Sequence, residues 1–408
     1  MKRVIVIGGG AAGMMAAGTA AEQDNNVILI EKNKRLGRKL MITGKGRCNI
    51  TNACEDVETL LKNVVTNPRF LYSAFYGFDN FATIDFFEKN GVKTKVERGE
   101  RVFPVSDKSS DVADAMRNYL IKNNVEIICD TVTKINKEEE TVTGVECENR
   151  GFLKADAVIL ATGGVSYTAT GSTGDGYRFA EELGHTVTEI RPSLVPIEVE
   201  EDFVSELQGL SLKNVAISVK NEKGKVVYKD FGEMMFAHFG LTGPIILSAS
   251  AHMKNLKNEK YKIYLDLKPA LSEKQLDERI VRDFAENMNK DFINSLDALL
   301  PKAIIPVIVE KSGINPRQKI NSVTSAERKR LTELLKNIEF NVTGFCPIEQ
   351  AIITSGGISV KEINPSTMES KLVSGLYFAG EIIDVDALTG GFNLQIAFST
   401  GRLAGLLG

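Results

Sequence analysis

The chain has no strong surplus of charge, no histidine cluster, no paired-cysteine motif and no long apolar run. Lysine and arginine number 50 against 53 aspartates and glutamates, a net charge of −3. That balance gives no electrostatic footprint for nucleic acid or for an anionic membrane, and neither is expected as a partner. The five cysteines (Cys48, Cys54, Cys129, Cys147, Cys346) are odd in number and contain no C-x-x-C. This argues against a disulfide framework or a structural zinc site and fits a reducing cytoplasm, the expected location. Only three histidines are present, so no metal site is assigned. No apolar run reaches the roughly 18 residues that a membrane span needs. Met1-Lys2-Arg3 has the charge of a signal-peptide start, but the apolar stretch behind it stops at three glycines, too soon for a secretory core. Repeats and low-complexity linkers are absent; the absence of tryptophan excludes nothing.

What is there begins at once. Val4–Ile7 is a run of β-branched residues that reads as a buried strand. Gly8-Gly9-Gly10-Ala11-Ala12-Gly13 follows, a G-x-G-x-x-G, and Ala11–Glu22 is small and helix-compatible. A second buried strand, Val27–Ile30, ends in an acid, Glu31. Strand, glycine turn, helix, strand and acid make up the dinucleotide-binding βαβ unit. Gly8 makes the tight turn, Gly10 lets the backbone approach a pyrophosphate, and Gly13 lets helix pack on strand. The amides of Ala11 and Ala12 open the helix and face phosphate with a partial positive charge. Glu31 lies where a carboxylate accepts hydrogen bonds from an adenosine ribose, and it would repel the 2′-phosphate of NADP.

Lys32–Asn52 is a basic loop that turns into Thr43-Gly44-Lys45-Gly46. Lys32, Arg38, Lys39 and Arg47 can meet a diphosphate, and Thr43, Gly44, Cys48 and Asn49 a sugar chain. Tyr72–Asn90 reads as helix, Val92–Val105 as two strands about a turn, and Ser110 as the cap of an amphipathic helix. Residues 131–154 read as short antiparallel strands, a meander that includes Val132. Ala157–Leu160 then returns as a buried strand ending Ala161-Thr162-Gly163-Gly164. A plain NAD domain continues through a second βαβ half instead, so the meander favours FAD. Gly164–Tyr177 reads as a loop over the cofactor.

The texture changes near Arg191. Alternation at Val215–Val219 and Tyr261–Leu267 implies an antiparallel β-domain, broken at Gly240–Pro244 by an apolar helix. Residues 272–337 read as helical, with Ser272 and Ser325 as N-caps. Phe345–Gly408 returns to α/β character, with a strand at Leu376–Ala379 and a helix at Ile396–Leu406. The expected division is 1–190 with 346–408 as a discontinuous FAD domain, 191–270 with 338–345 as a β-barrel-like substrate domain, and 271–337 as a helical insert.

The glycine fingerprint, Thr43–Asn52, Ala161–Gly164, Gly171-Ser172-Thr173-Gly174-Asp175-Gly176-Tyr177 and Gly380–Gln395 together resemble the bacterial BaiN / aminoacetone-oxidase-like FAD-binding proteins. The resemblance covers essentially the whole chain. It implies an α/β fold: a glutathione-reductase-like, two-dinucleotide-binding (Rossmann-type) FAD domain with an inserted antiparallel β-barrel and a helical segment. It also implies an NAD(P)H-dependent flavin reductase or oxidase of small or steroid-like molecules. Thr168 and Ala237 depart from the family pattern on the substrate side, so substrate identity does not carry over.

The flavin performs the hydride chemistry and the protein tunes it. Gly391, Asn393 and Leu394 open the last helix, whose free amides can face the negative charge that reduction leaves on the ring. A helix end contributes about 1–2 kcal/mol, or roughly 20–45 mV for a two-electron couple. It biases the potential without setting it. Gly380-Glu381, just past a strand end, is assigned to the cofactor's ribityl or phosphate side, with Asp384 and Asp386 as alternates. Cys48 reads as packing or a cofactor contact rather than a redox centre. Tyr167 and His238 are the candidate proton donors.

Three functions are weighed. The first is an FAD-dependent oxidoreductase passing hydride from transiently bound NADH or NADPH to a small organic acceptor, a conjugated C=C being the type considered. No second G-x-G-x-x-G exists to hold the nicotinamide. The second is an O₂-dependent oxidase of a small amine. The third is an RNA-acting flavoprotein, against which stand the net charge and the lack of an interleaved basic–aromatic stripe. A monomer or homodimer is expected.

Overall fold

In the computed structural model, which describes residues 1–254 and 256–408, strand β1 (Arg3–Ile7) lies at the centre of a five-stranded parallel sheet. Its Val4, Ile5 and Val6 are each 0% exposed, as a strand covered on both faces requires. The chain turns into α1 (Ala11–Glu22) and returns as β2 (Asn26–Glu31). Helices α2 (Arg38–Gly46) and α3 (Ser109–Lys122) lead to β3 (Glu126–Cys129). The antiparallel meander β4 (Val132–Glu138), β5 (Thr141–Cys147), β6 (Gly151–Lys154) follows, and β7 (Ala157–Leu160) rejoins the sheet beside β1. Helix α4 (Asp175–Glu182) comes next. Much later, β8 (Ile353–Ser355), β9 (Leu376–Phe378) and α5 (Phe392–Gly405) belong to this same unit. β9 adds parallel to β7, giving the order β9-β7-β1-β2-β3.

The two ends of this unit are joined through small residues. A Cβ on Gly401 would lie 2.5 Å from the Ala12 carbonyl oxygen, and one on Gly405 would lie 2.6 Å from that of Ala16. α5 therefore rests directly on the backbone of α1. Arg402 extends the contact by donating to Glu22 and to Thr19 Oγ1. On the other side, a Cβ on Gly13 would meet the Gly8 carbonyl oxygen at 1.9 Å.

Residues Leu194–Cys346 form the second unit. Six strands close a barrel: Ile197–Val199, Gly240–Thr242, Val226–Ala237, Ser211–Asn221, Tyr261–Asp266 and Ile338–Phe345, the last pairing back to the first. Ile217, Val219, Phe236, Ile263 and Phe340 belong to its core. The helical residues 271–337 are not a unit of their own. Leu276, Ile280, Ile308, Leu331 and Leu335 join the barrel's apolar cluster, because amphipathic helices of this length cannot bury their apolar faces alone. The boundaries fall at Ser193/Leu194 and Cys346/Pro347.

Local differences have local causes. Ser110 lies inside α3, whose N-cap is Lys108 with no side-chain hydrogen bond. Thr324, one residue before Ser325, caps the helix Ser325–Lys336 through a capping box with Glu327; either hydroxyl satisfies a cap motif in sequence. Ser272 caps as expected, paired with Gln275. The basic loop after Glu31 contains α2, which loses helical geometry at Thr43, Gly44 and Lys45. The stretch 72–90 is two helices, Tyr72–Gly77 and Asn80–Lys89, because Asp79 caps the second.

His185, just past α4, is a buried pin. Its Nε2 lies 2.9 Å from Ser370 Oγ and its Nδ1 3.4 Å from Glu362 Oε2. Burial lowers its pKa below the ordinary 6.5, outweighing the upward pull of Glu362.

Two stability measurements follow. Gly401→Ala forces α5 off α1 and costs about 1–3 kcal/mol in urea unfolding, whereas Gly77→Ala, whose new Cβ meets nothing within 4 Å, leaves the midpoint nearly unchanged. For His185, the unfolded chain takes up the proton before the folded chain does. Its contribution is therefore intact above the unfolded value of about 6.5 and declines as pH falls below it. His185→Gln flattens that part of the unfolding-versus-pH curve.

Candidate functional site

A cleft of about 1390 Å³, its open mouth included, is lined by the residues that follow the ends of β1, β2 and β7. Open α/β sheets bind ligands at such strand ends. The turn Gly8–Ala12 forms one wall, Glu31–Asn33 the next, and Ala161–Gly163 another. Two observations test whether a dinucleotide fits. A Cβ on Gly10 would meet nothing within 4 Å, so the backbone there faces open space. α1 starts with no side-chain cap and no acid in its first turn, leaving its amides for an anion. A pyrophosphate has room at Gly10 and supplies the anion that the free α1 amides lack.

At the Glu31 end the polar groups brace one another. Glu31 Oε2 accepts from the Gly9 amide at 2.7 Å, and Oε1 accepts from the Asn33 amide at 2.8 Å and its side chain at 2.6 Å. Arg38 Nη1 donates to Asn33 Oδ1 at 2.6 Å. Lys32 Nζ lies 2.6 Å from Asp175 Oδ2 and also meets Thr173. Burial works to raise the Asp175 pKa, but hydrogen bonds from Lys32 and Thr173 outweigh it and leave it lowered. Asp130 accepts from Thr131, Asn149 and Arg150, fixing the meander so that Thr131 and Val132 line the cleft.

The other end is drier. Ile352, Ile353, Val385, Leu394, Ile396 and Ala397 line it. Lys39 Nζ reaches Glu381 Oε2 at 2.6 Å and Ser166 Oγ at 2.7 Å. Asn393 lines the cleft, with its side chain bonded to the backbone of Ala387 at 2.9 and 2.7 Å.

Of the residues assigned from sequence, Gly8, Gly10, Ala11, Ala12, Glu31, Lys32, Arg38, Lys39, Thr43, Val132, Ala161, Thr162, Gly163, Glu381, Asn393 and Leu394 line the cleft. Others sit behind it. Gly13 packs against Gly8, Gly380 against Ala12, and Gly391 against Thr51 at the start of α5. Gly44 turns beside Asn49, whose Oδ1 is buried without a partner. Arg47, expected at a phosphate, pairs with Glu97 and Asp107 and stacks on Phe103 at 4.1 Å. Nearby carboxylates neutralise it more cheaply than a distant anion could. Cys48 is 0% exposed, and burial pushes its thiol up to about 12, a packing residue by its chemistry. Asp386 accepts from Ser193 and Ser355, and burial raises the Asp384 pKa; neither lines the cleft. Tyr167 is half-buried at φ 51°, outside the cleft lining. His238 is exposed in the second unit, edge-on to Phe239 at 5.0 Å.

Asn33, Asp130, Ile352, Ile353 and Val385 also line the cleft, though no motif marks them. Asn33 could have been found from its place beside Glu31. The isoleucines carry no motif and reach the wall only through the return of β8. Among the described residues, no helix is long and apolar enough to cross a membrane, and no cluster of three or more His, Cys, Asp or Glu is placed to hold a metal.

Parallel sheet, glycine turn, meander and closing helix define a Rossmann-type FAD-binding domain, the core of a flavin-dependent oxidoreductase. The chain belongs to the HI0933-like family, whose Rossmann-domain profile matches residues 2–407. It is 29% identical to the 3-dehydro-bile acid delta(4,6)-reductase of Clostridium scindens, covering 93% of this chain and 91% of the relative. It is 30% identical to the ribosomal RNA dihydrouridine synthase of Escherichia coli, covering 92% and 90%. The fold is similar to that of 3-ketosteroid delta1-dehydrogenase from Sterolibacterium denitrificans, with a TM-score of 0.54, 13% identity, and 99% and 98% of the two chains covered.

Cys129 is the only exposed cysteine of the five. A thiol-titrating disulfide reagent should modify about one thiol per native chain promptly, and all five only after unfolding.

Proposed function

We propose that this protein saturates a carbon–carbon double bond conjugated to a carbonyl, with NADH or NADPH as the electron source. The overall change is balanced: NAD(P)H gives a hydride, solvent gives a proton, and the C=C becomes CH–CH as NAD(P)⁺ leaves. FAD bound in the cleft supplies the hydride-transfer chemistry. The protein's part is to hold it. The α1 amides would donate to the pyrophosphate where Gly10 leaves room, Glu31 and Asn33 would hold the adenosine ribose, and the apolar wall of Ile352, Ile353 and Leu394 would keep water from the other half. Tyr167, in the same unit as the cleft, remains the proposed proton donor.

One observation carries this reading. Two relatives of nearly equal identity bear names that differ in substrate yet describe the same kind of reaction. A delta(4,6)-reductase saturates ring double bonds of a steroid skeleton. Dihydrouridine is uridine with its C5=C6 bond, conjugated to C4=O, saturated. A small, steroid-like enone is the first acceptor, favoured by the apolar wall. A uridine in ribosomal RNA is the second, favoured by the name of the Escherichia coli relative and by its match across 92% of this chain. The net charge of −3 weighs against nonspecific RNA binding, not against one structured site.

The test is anaerobic. Flavin-loaded protein is mixed with NADH, then with NADPH, and one of them should bleach the flavin absorbance. A 4-en-3-one steroid and unmodified ribosomal RNA are then offered separately, and one should restore the colour with a product two hydrogens heavier. Bleaching by a small amine, with peroxide released in air and no response to nicotinamide, would replace this reading with an oxidase.

A further inference from the structure

Four cations line the cleft: Lys32, Arg35, Arg38 and Lys39. Lys32 and Arg38 are committed at the Glu31 end, to Asp175 and Asn33. Lys39 turns the other way. Although it follows Arg38 directly, it reaches Ser166, just past β7, and Glu381, just past β9. The pair is largely enclosed, with side chains 21% and 13% exposed, and Ser166 is 0% exposed.

The hydrogen bonds around it run in one sense. Lys39 donates to Ser166 Oγ; Ser166 Oγ donates to Glu381 Oε1 at 2.9 Å; the Thr354 amide donates to that same oxygen at 2.9 Å. Glu381 Oε2 accepts from Lys39. Both carboxylate oxygens are thus engaged by protein. The ammonium has three protons, and Glu381 and Ser166 take two of them. The third belongs to a side chain that lines the cleft beside Ile353 and Val385. A charge against such a wall acts more strongly than one in water.

We propose that Lys39 is the cation that tunes the redox potential of the bound flavin, with Glu381 and Ser166 as positioning residues that hold its ammonium. The proposal rests on the FAD reading above. It also reassigns Glu381 from direct sugar contact to counter-ion of Lys39. Reduction adds negative charge to the ring, so a nearby cation favours the reduced form and a nearby anion disfavours it.

The signs make the test. Lys39→Met removes the cation and leaves Glu381 uncompensated, so the potential falls. Glu381→Gln keeps the hydrogen-bonding shape but leaves Lys39 uncompensated, so the potential rises. Each change should alter the ratio of reduced to oxidised flavin at least tenfold against a reference dye, about 30 mV for this two-electron couple. Lys39→Arg should stay near the native value. Anaerobic spectroelectrochemistry of the flavin-loaded protein reads all of this without any substrate. Opposite shifts support the proposal. Shifts of the same sign, or none, overturn it, because loss of a merely structural pair has no reason to change sign with the partner removed. Should Lys39→Met fail to fold, Glu381→Gln decides alone: a rise supports the proposal, and no change or a fall overturns it. A native protein that is colourless and takes up no FAD would instead overturn the flavin reading, and this proposal with it.

Discussion

The backbone of α1 is approached so closely that side chains are excluded. Gly13 meets the Gly8 carbonyl, Gly401 that of Ala12, Gly405 that of Ala16, and Gly380 the Ala12 methyl. These contacts wedge the first helix between the turn that precedes it and the helix near the other end of the chain. Position and direction are both fixed as a result. The uncapped amides of α1 then point at the mouth of the sheet with nothing of the protein to satisfy them. An anion site at a helix start depends on that combination of free donors and a rigid axis. Dispersion across so close an interface adds to the rigidity.

Much of this was legible in the order of residues. Four β-branched residues, a glycine turn and an acid have few other uses, and α1 spans the residues its composition implied. The return of β9 to the sheet was readable because a short buried run so late in the chain has nowhere else to pair. Side-chain partners were not readable. Arg47 and Lys39 are both cations in one basic stretch, and nothing local says that Arg47 would find Glu97 and Asp107 while Lys39 would find Glu381. Those pairings are made by folding, across separations that periodicity does not encode. The sharing of a core between barrel and helices was hidden for the same reason: Leu276 and Leu331 look like any amphipathic face until the surface they cover is known.

The cleft is organised by charge as well as by shape. At one end Lys32 pairs with Asp175, and Asn33 ties Glu31 and Arg38 to the Thr170 carbonyl. At the other, a single ion pair stands among aliphatic side chains. Exposed pairs of the first kind contribute little to stability. An enclosed pair carries a desolvation cost that its mutual attraction only partly offsets. Retaining such a pair at the dry end is more readily understood as a service to the bound group than to the fold.

The reach of α5 also bears on when the protein can acquire its prosthetic group. Residues 392–405 complete the wall that begins at residue 7, so during translation most of the polypeptide must leave the ribosome before the pocket exists. Until then the amino-terminal glycines offer only half a grip. Loading is therefore a late event in biogenesis, and a chain interrupted before α5 would be an apoprotein with the face of α1 that α5 covers left bare.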